Sequence, residues 1–247
     1  MKKNFENLIN LIKKQELNAC LTGSCMLGYK EGWNQDCDVF CYDEQSFTAL
    51  LYFCHYNPLF TILQPLEKDK FISYTQSNKS SLDSIGLISI KFTYNLCIPL
   101  NIVYRKGNKN IFDVISGFDN DLIAQGYCLR TKKFLSLREC KGKKLSWNRW
   151  CKSFYNSNQF DVKRLLRQFD RLCKYQSRGY NCTELLDKYI SLTEEILAKE
   201  NIYTSERGLA FYEKTKEEFT LVLKILKAYR KEKKISPEAL LILKSLI

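Results

Sequence analysis

The sequence predicts an α+β protein: a mixed β-sheet flanked by helices, followed by a helical C-terminal domain. Three observations predict this. Helix-period and strand-period segments alternate up to about residue 128, and from Lys141 onward nearly every signal is helical. The charge changes where the pattern changes: residues 1–127 carry 12 Lys+Arg against 13 Asp+Glu, whereas 129–178 alone carry 15 against 3. That stretch holds an excess equal to the chain's net charge of +12. The expected division is 1–128 for the sheet domain and 129–247 for a basic α-helical domain, with the lobes meeting near 128–145.

In the first half, Phe5, Leu8, Ile9 and Ile12 lie on one face of a helix over Phe5–Gln15. A short apolar strand follows at Ala19–Thr22, then a Gly/Ser turn opening a short helix at Ser24–Gly28. Next come a strand at Asp36–Tyr42, a helix at Gln45–Tyr56, and strand-like runs at Leu59–Leu63, Leu87–Tyr94 and Ile98–Arg105. The polar segment Leu66–Ser84 reads as a loop or ragged hairpin. Asn110–Ile115 reads as a short helix and Leu122–Leu129 as a last strand. In the second half, helices are expected at Phe160–Gln176, Thr183–Lys199 and Glu206–Glu232. One more follows Ser236-Pro237-Glu238, an N-cap serine with proline at the first helical position.

Composition narrows the function classes. With 45% hydrophobic residues, 10 Gly and 4 Pro, the chain is a folded protein and not a disordered or fibrous one. Its longest apolar runs, such as Leu96–Leu100 and Ala239–Leu243, are far below the roughly 18–20 residues of a membrane span, and the N-terminal pattern is not that of a signal peptide. The 11 cysteines are odd in number, and Cys20, Cys37, Cys41, Cys97 and Cys128 sit in apolar stretches. Reduced thiols in a cytoplasm-like compartment are therefore expected. Cys37-x3-Cys41 lacks a second close Cys pair, which disfavours zinc. The single histidine, His55, lies in an apolar helical stretch and reads as a packed side chain, so Ser–His–Asp and Cys–His hydrolases fall down the list.

The segment Leu21-Thr-Gly-Ser-Cys-Met-Leu-Gly28, followed by Asp36-Cys-Asp-Val39, carries the chemistry. Strand alternation points Asp36 and Asp38 to one face and Cys37 and Val39 to the core. Two carboxylates about 7 Å apart on one face repel each other, so something cationic is expected between them. A hard divalent ion such as Mg2+ (or Mn2+) suits oxygen ligands and brings nucleotide phosphates with it. A pair of solvated strand-end carboxylates is the plainer alternative. The Gly23-Ser24 turn leaves backbone N–H groups outward for phosphate oxygens, and Gly23 lets the backbone approach closely.

Gly-Ser, an 11-residue gap (25–35) and then Asp-x-Asp with an apolar follower resembles the polymerase-β-like nucleotidyltransferase superfamily. The resemblance implies that Gly23 and Ser24 hold the β/γ-phosphates of an NTP and that Asp36 and Asp38 bind Mg2+. It also implies in-line attack of a hydroxyl on the α-phosphate, with two Mg2+ ions stabilising the entering and leaving oxygens. Phe118-Asp119 and Arg171-x2-Lys174-Tyr175-x2-Arg178-Gly179 look like motifs of nucleotidyltransferase-like proteins of large DNA viruses and phages, which extends the likeness over roughly 18–180 and implies a viral source. The family pattern places a third carboxylate on a later strand. Here Pro99-Leu-Asn-Ile-Val-Tyr104 puts Asn101 at that position. Asp119 is the substitute candidate, with a helix or turn cap as its other reading; Asp113 and Asp83 are poorer ones.

The basic stretch is organised. Val162, Leu165, Leu166, Phe169, Leu172 and Cys173 recur at helical spacing, and Arg164, Arg167, Arg171, Lys174 and Arg178 follow at steps of three and four as one flanking stripe. Upstream, Lys141, Lys143, Lys144, Arg149 and Lys152 interleave with Trp147, Trp150, Phe154 and Tyr155. Cations beside stacking aromatics are the footprint of nucleic-acid contact; a solvated helix face is the alternative. The leading functional expectation is transfer of NMP from an NTP to a hydroxyl, with RNA as acceptor. The second is the same fold with a weakened metal site, used as a nucleic-acid-binding or regulatory module. The third is a defence or counter-defence protein.

Overall fold

The first helix, α1 (Lys2–Lys13), buries Phe5, Leu8 and Ile12, the stripe its periodicity requires. The structure, a computed structural model, describes residues 1–33, 35–63, 87–151, 162–198 and 206–232. The expected loop at 66–84, the helix after Ser236, Asp83, Lys152, Phe154 and Tyr155 lie outside the described residues, as does the side chain of Arg164. The chain divides into two compact units: Met1–Phe118 with Ile123–Arg138, and Asp119–Leu122 with Glu139–Ile247.

After α1, β1 (Ala19–Thr22) leads into a single 3-10 turn over Gly23–Leu27, then β2 (Cys37–Cys41) and α2 (Glu44–Tyr56). Next come β3 (Phe60–Ile62), β4 (Leu87–Tyr94), β5 (Ile98–Arg105) and a short α3 (Ile111–Ile115). The first unit closes with β6 (Gln125–Cys128) and β7 (Phe134–Ser136). The seven strands form one sheet in the order β3-β4-β5-β2-β1-β6-β7. Its pairings are antiparallel except β2 with β5, so the sheet is mixed. The fold class is therefore the expected α+β.

Alternation divides the sheet into two faces. Cys37, Val39 and Cys41 of β2, Leu21 of β1 and Leu100 and Ile102 of β5 pack with Leu8 and Ile12 of α1 and Leu50, Leu51 and Cys54 of α2 in the core. Asp38 and Phe40 fall on the other face, where Phe118 meets Phe40 edge-on at 6.0 Å. The sequence showed one strand over Leu122–Leu129. In the structure that strand is shorter and pairs with the unforeseen β7 through a turn containing Lys132 at φ +56°. Residues 123–138 belong to the sheet for this reason.

Helix α2 starts at Asp43, whose carboxylate accepts the backbone N–H of Ser46 at 2.6 Å. Burial raises the Asp43 pKa, but bonds from Ser46 and Asn18 and the charge of Arg130 outweigh it, leaving the group below its ordinary 3.8. A folded pKa below the unfolded one gives stability that is present above about pH 4 and is lost as the pH falls through the folded value. Asp43→Ala is expected to cost about 1 kcal/mol at pH 7, and less as the pH drops below about 4. Urea denaturation at pH 7 and pH 3 checks both statements.

In the second unit, α4 (Val162–Ser177), α5 (Thr183–Leu197) and α6 (Glu206–Glu232) pack on one another. Leu165, Leu166, Phe169 and Leu172 of α4 are buried, with Tyr189 of α5 and Phe219, Val222 and Leu226 of α6. Phe169 and Tyr229 meet edge-on at 5.1 Å. Asp119–Leu122 belongs to this unit because Asp121 exchanges backbone bonds with it. The Asp121 N–H donates to the Ser146 carbonyl (3.0 Å), and its carboxylate accepts the N–H groups of Ser146 (2.9 Å) and Cys140 (3.0 Å). No described helix is long and apolar enough to cross a membrane.

Candidate nucleotide and metal site

The end of β1, the turn after it and the start of β2 converge on one spot of the polar sheet face. Gly23 leaves the extended Thr22 with φ +82°, and a Cβ built there would lie 2.7 Å from Asp38 Oδ2. Glycine is thus required twice, for the left-handed backbone and for the space Asp38 occupies. Gly23→Ala is expected to cost about 1–3 kcal/mol and to push Asp38 out of place, seen as a lower Tm in thermal melts.

Asp36 sits one residue before β2 and Asp38 within it. Register puts Asp38 opposite Thr22 on β1 and opposite Asn101 on the parallel neighbour β5. Asn101 and Asp38 therefore share a face. The Asn101 amide nitrogen donates to Asp38 Oδ1 at 2.7 Å and to Asp36 Oδ2 at 3.3 Å. The Ser24 hydroxyl donates to Asp36 Oδ1 at 3.3 Å. The structure thus brings Gly23, Ser24, Asp36, Asp38 and Asn101 together, with both carboxylates half-buried.

Gln35 is a residue that the sequence reading passed over. Its buried amide donates to the carbonyls of Ser24 (2.8 Å) and Gly28 (2.9 Å), and its side-chain oxygen accepts the Lys30 N–H at 2.6 Å. It fastens the loop over 24–30 to the residue before Asp36. The available signal was a short helical turn whose last carbonyls need donors, with an amide at the next strand's start.

The convergence of two carboxylate oxygens on one partly positive nitrogen bears on whether a cation fits. The amide stands where repulsion between the acids requires positive charge. The side chains around that point offer oxygens from Asp36, Asp38 and Ser24, the kind of donor that hard cations take. A divalent ion fits this set. Among the described residues no group of three or more His, Cys, Asp or Glu is arranged to hold a metal, so the acidic set ends at two. Cys37, between them in sequence, faces the core. Its hydrogen bond with Cys25, its burial and the two nearby aspartates push its thiol well above the usual range. Burial pushes Cys20 up to about 12. All 11 cysteines are free thiols.

Asp119 lies in the second unit with a buried carboxylate. Arg171 reaches one oxygen at 3.4 Å, and the Tyr189 hydroxyl donates to the other at 3.3 Å. Burial and the Asp119 charge hold the Tyr189 phenol well above its ordinary pKa. Asp113 accepts the Lys109 N–H at 2.8 Å in the turn before α3. His55 is exposed, its ring against Tyr56, so the packed side chain expected there is not what the fold provides: the last turn of α2 presents it outward.

Of the stripe on α4, Arg167, Arg171 and Lys174 are exposed and Arg178, just beyond the helix, is half-buried over the Tyr175 ring at 5.6 Å. Lys188 lies over Trp147 at 5.0 Å and Arg149 over Trp150 at 5.6 Å.

No protein-family model matches the sequence, and no curated protein matches it. Among solved structures, the Thermotoga maritima CCA-adding enzyme complexed with tRNA aligns with 13% identity and a TM-score of 0.45. The alignment covers 99% of this chain and 64% of that one, so the chain spans less than two thirds of that enzyme's length.

Proposed function

We propose that this protein is a nucleotidyltransferase of the polymerase-β-like type, moving NMP from an NTP to a hydroxyl of RNA. The observation that supports the reading is the meeting of Asp36 and Asp38 beside Gly23, with the Asn101 amide donating to both carboxylates. In this reading Asp36 and Asp38 hold Mg2+ or Mn2+, Gly23 and Ser24 receive the nucleotide's phosphates, and Gln35 keeps their turn in position. The cation supplies charge neutralisation at the phosphates and lowers the pKa of a bound hydroxyl. Asp38 is held by β2 and Asn101, so its carboxylate is already oriented on the polar face where a cation would be bound.

Asp119 takes a packing role in this proposal. Its oxygens are engaged with Arg171 and Tyr189 inside the second unit, where it anchors α4 and α5 to residues 119–122. Arg167, Arg171, Lys174 and Arg178 offer RNA a row of cations. Arg171 has a second task as the partner of Asp119, so its charge reversal would disturb the fold as well as binding. Arg167 and Lys174 give the cleaner test. Reversing both to Glu is expected to weaken RNA binding roughly 10-fold at 0.1 M salt and to flatten its salt dependence, with the protein still folded. Filter binding across a salt series measures this.

Asn101 favours a second reading, in which nucleotide is bound but transferred slowly, because an amide supplies neither charge nor basicity. Purified protein incubated with each α-labelled NTP, Mg2+ or Mn2+ and total RNA separates the two. Label on RNA that is absent with Asp38→Ala supports the enzyme; NTP binding without label supports the binding module; neither binding nor transfer sinks both.

A further inference from the structure

We propose that Asn101 is the positioning residue that restricts this site to one protein-held divalent cation. The inference rests on the proposed metal site and concerns its stoichiometry. Asp38 and Asn101 are direct partners on adjacent parallel strands, so the residue at 101 must face the acidic pair. An acid there would bring three negative groups together: the Asn101 side-chain nitrogen is 2.7 Å from one carboxylate oxygen and 3.3 Å from the other. Such a triad is held together only by bound cations, and its extra charge would support a second one. The amide reverses that logic. Its N–H2 bridges the two acids, keeps them aligned without metal, and leaves two negative charges, matched by one divalent ion.

A Cβ at Gly23 would lie 2.7 Å from Asp38 Oδ2, so the bare glycine backbone is what lets Asp38 sit against the turn while Asn101 holds its other oxygen. Asn101 thus separates two properties that an acid would join. The wild-type fold forms without metal, and the site still collects a cation.

The test titrates Mn2+ alone into the full chain, reading free Mn2+ by electron paramagnetic resonance, with thermal melts in parallel. Wild type is expected to take up one Mn2+ and to show only the rise in Tm that binding to the folded state brings. Asn101→Asp is expected to take up two, the first at least about 10-fold more tightly, and to melt lower than wild type in chelator and recover with Mn2+. Should Asn101→Asp fold only when Mn2+ is present, that dependence is itself the expected signature. Asn101→Ser, neutral and smaller, is expected to keep one Mn2+. Two Mn2+ on wild type or on Asn101→Ser, or wild-type uptake by Asn101→Asp, would overturn the role of Asn101 while leaving the metal site standing. Unchanged Mn2+ uptake by Asp38→Asn would instead remove the metal site itself.

Discussion

Asp38→Ala is expected to lower nucleotide transfer roughly 10²–10³-fold and to abolish Mn2+-dependent NTP binding, while the protein stays folded. The functional loss follows from geometry. Asp38 is the acid that Asn101 holds most closely, at 2.7 Å, and the one lying against Gly23, so its truncation removes the carboxylate nearest the turn. Removing one preorganised charge from such a site typically costs that much in rate. The fold survives because Asp38 is half-buried on the polar face, with its neighbours Cys37 and Val39 supplying the core contacts of β2. Loss of an acid also relieves its repulsion with Asp36, so the net stability change should stay within about 1 kcal/mol. Single-turnover transfer assays and thermal melts on the same preparation measure both. Transfer at the wild-type rate would exclude this strand as the seat of the chemistry.

The second large effect concerns stability. Asp119→Ala is expected to destabilise the second unit by about 2–4 kcal/mol, because the buried Tyr189 hydroxyl loses its bond to Asp119 and Arg171 loses the Asp119 carboxylate. The Arg171 side chain is 51% exposed and can turn to solvent, which keeps the cost below that of a fully buried pair. The Tm should fall by roughly 5–15 °C. Asp119→Asn retains an oxygen for Tyr189 and should lose about half as much. Transfer per folded molecule should be unchanged in Asp119→Asn. If instead both variants keep the wild-type Tm and lose transfer, Asp119 belongs to the chemistry and not to packing.

The sequence alone determined the elements and their faces wherever periodicity was strong. The stripe of Phe5, Leu8 and Ile12, the alternation of Cys37, Val39 and Cys41 against Asp38, and the buried row of α4 follow from side-chain spacing, which tertiary contacts only select. Hairpin β6–β7 is not legible in the sequence, because its second strand is three residues long with both ends exposed and no residue buried, too short for an apolar alternation. Only the tertiary structure decided what each polar residue faces. Asn101 stood out in the sequence as an amide where an acid was sought, but its bridging of Asp36 and Asp38 depends on parallel pairing of strands some sixty residues apart. Likewise Asp119 meets Arg171 and Tyr189 across gaps of 52 and 70 residues. Local spacing sets which way a side chain points, whereas strand register and helix packing set what waits there, and no short window of sequence contains that information.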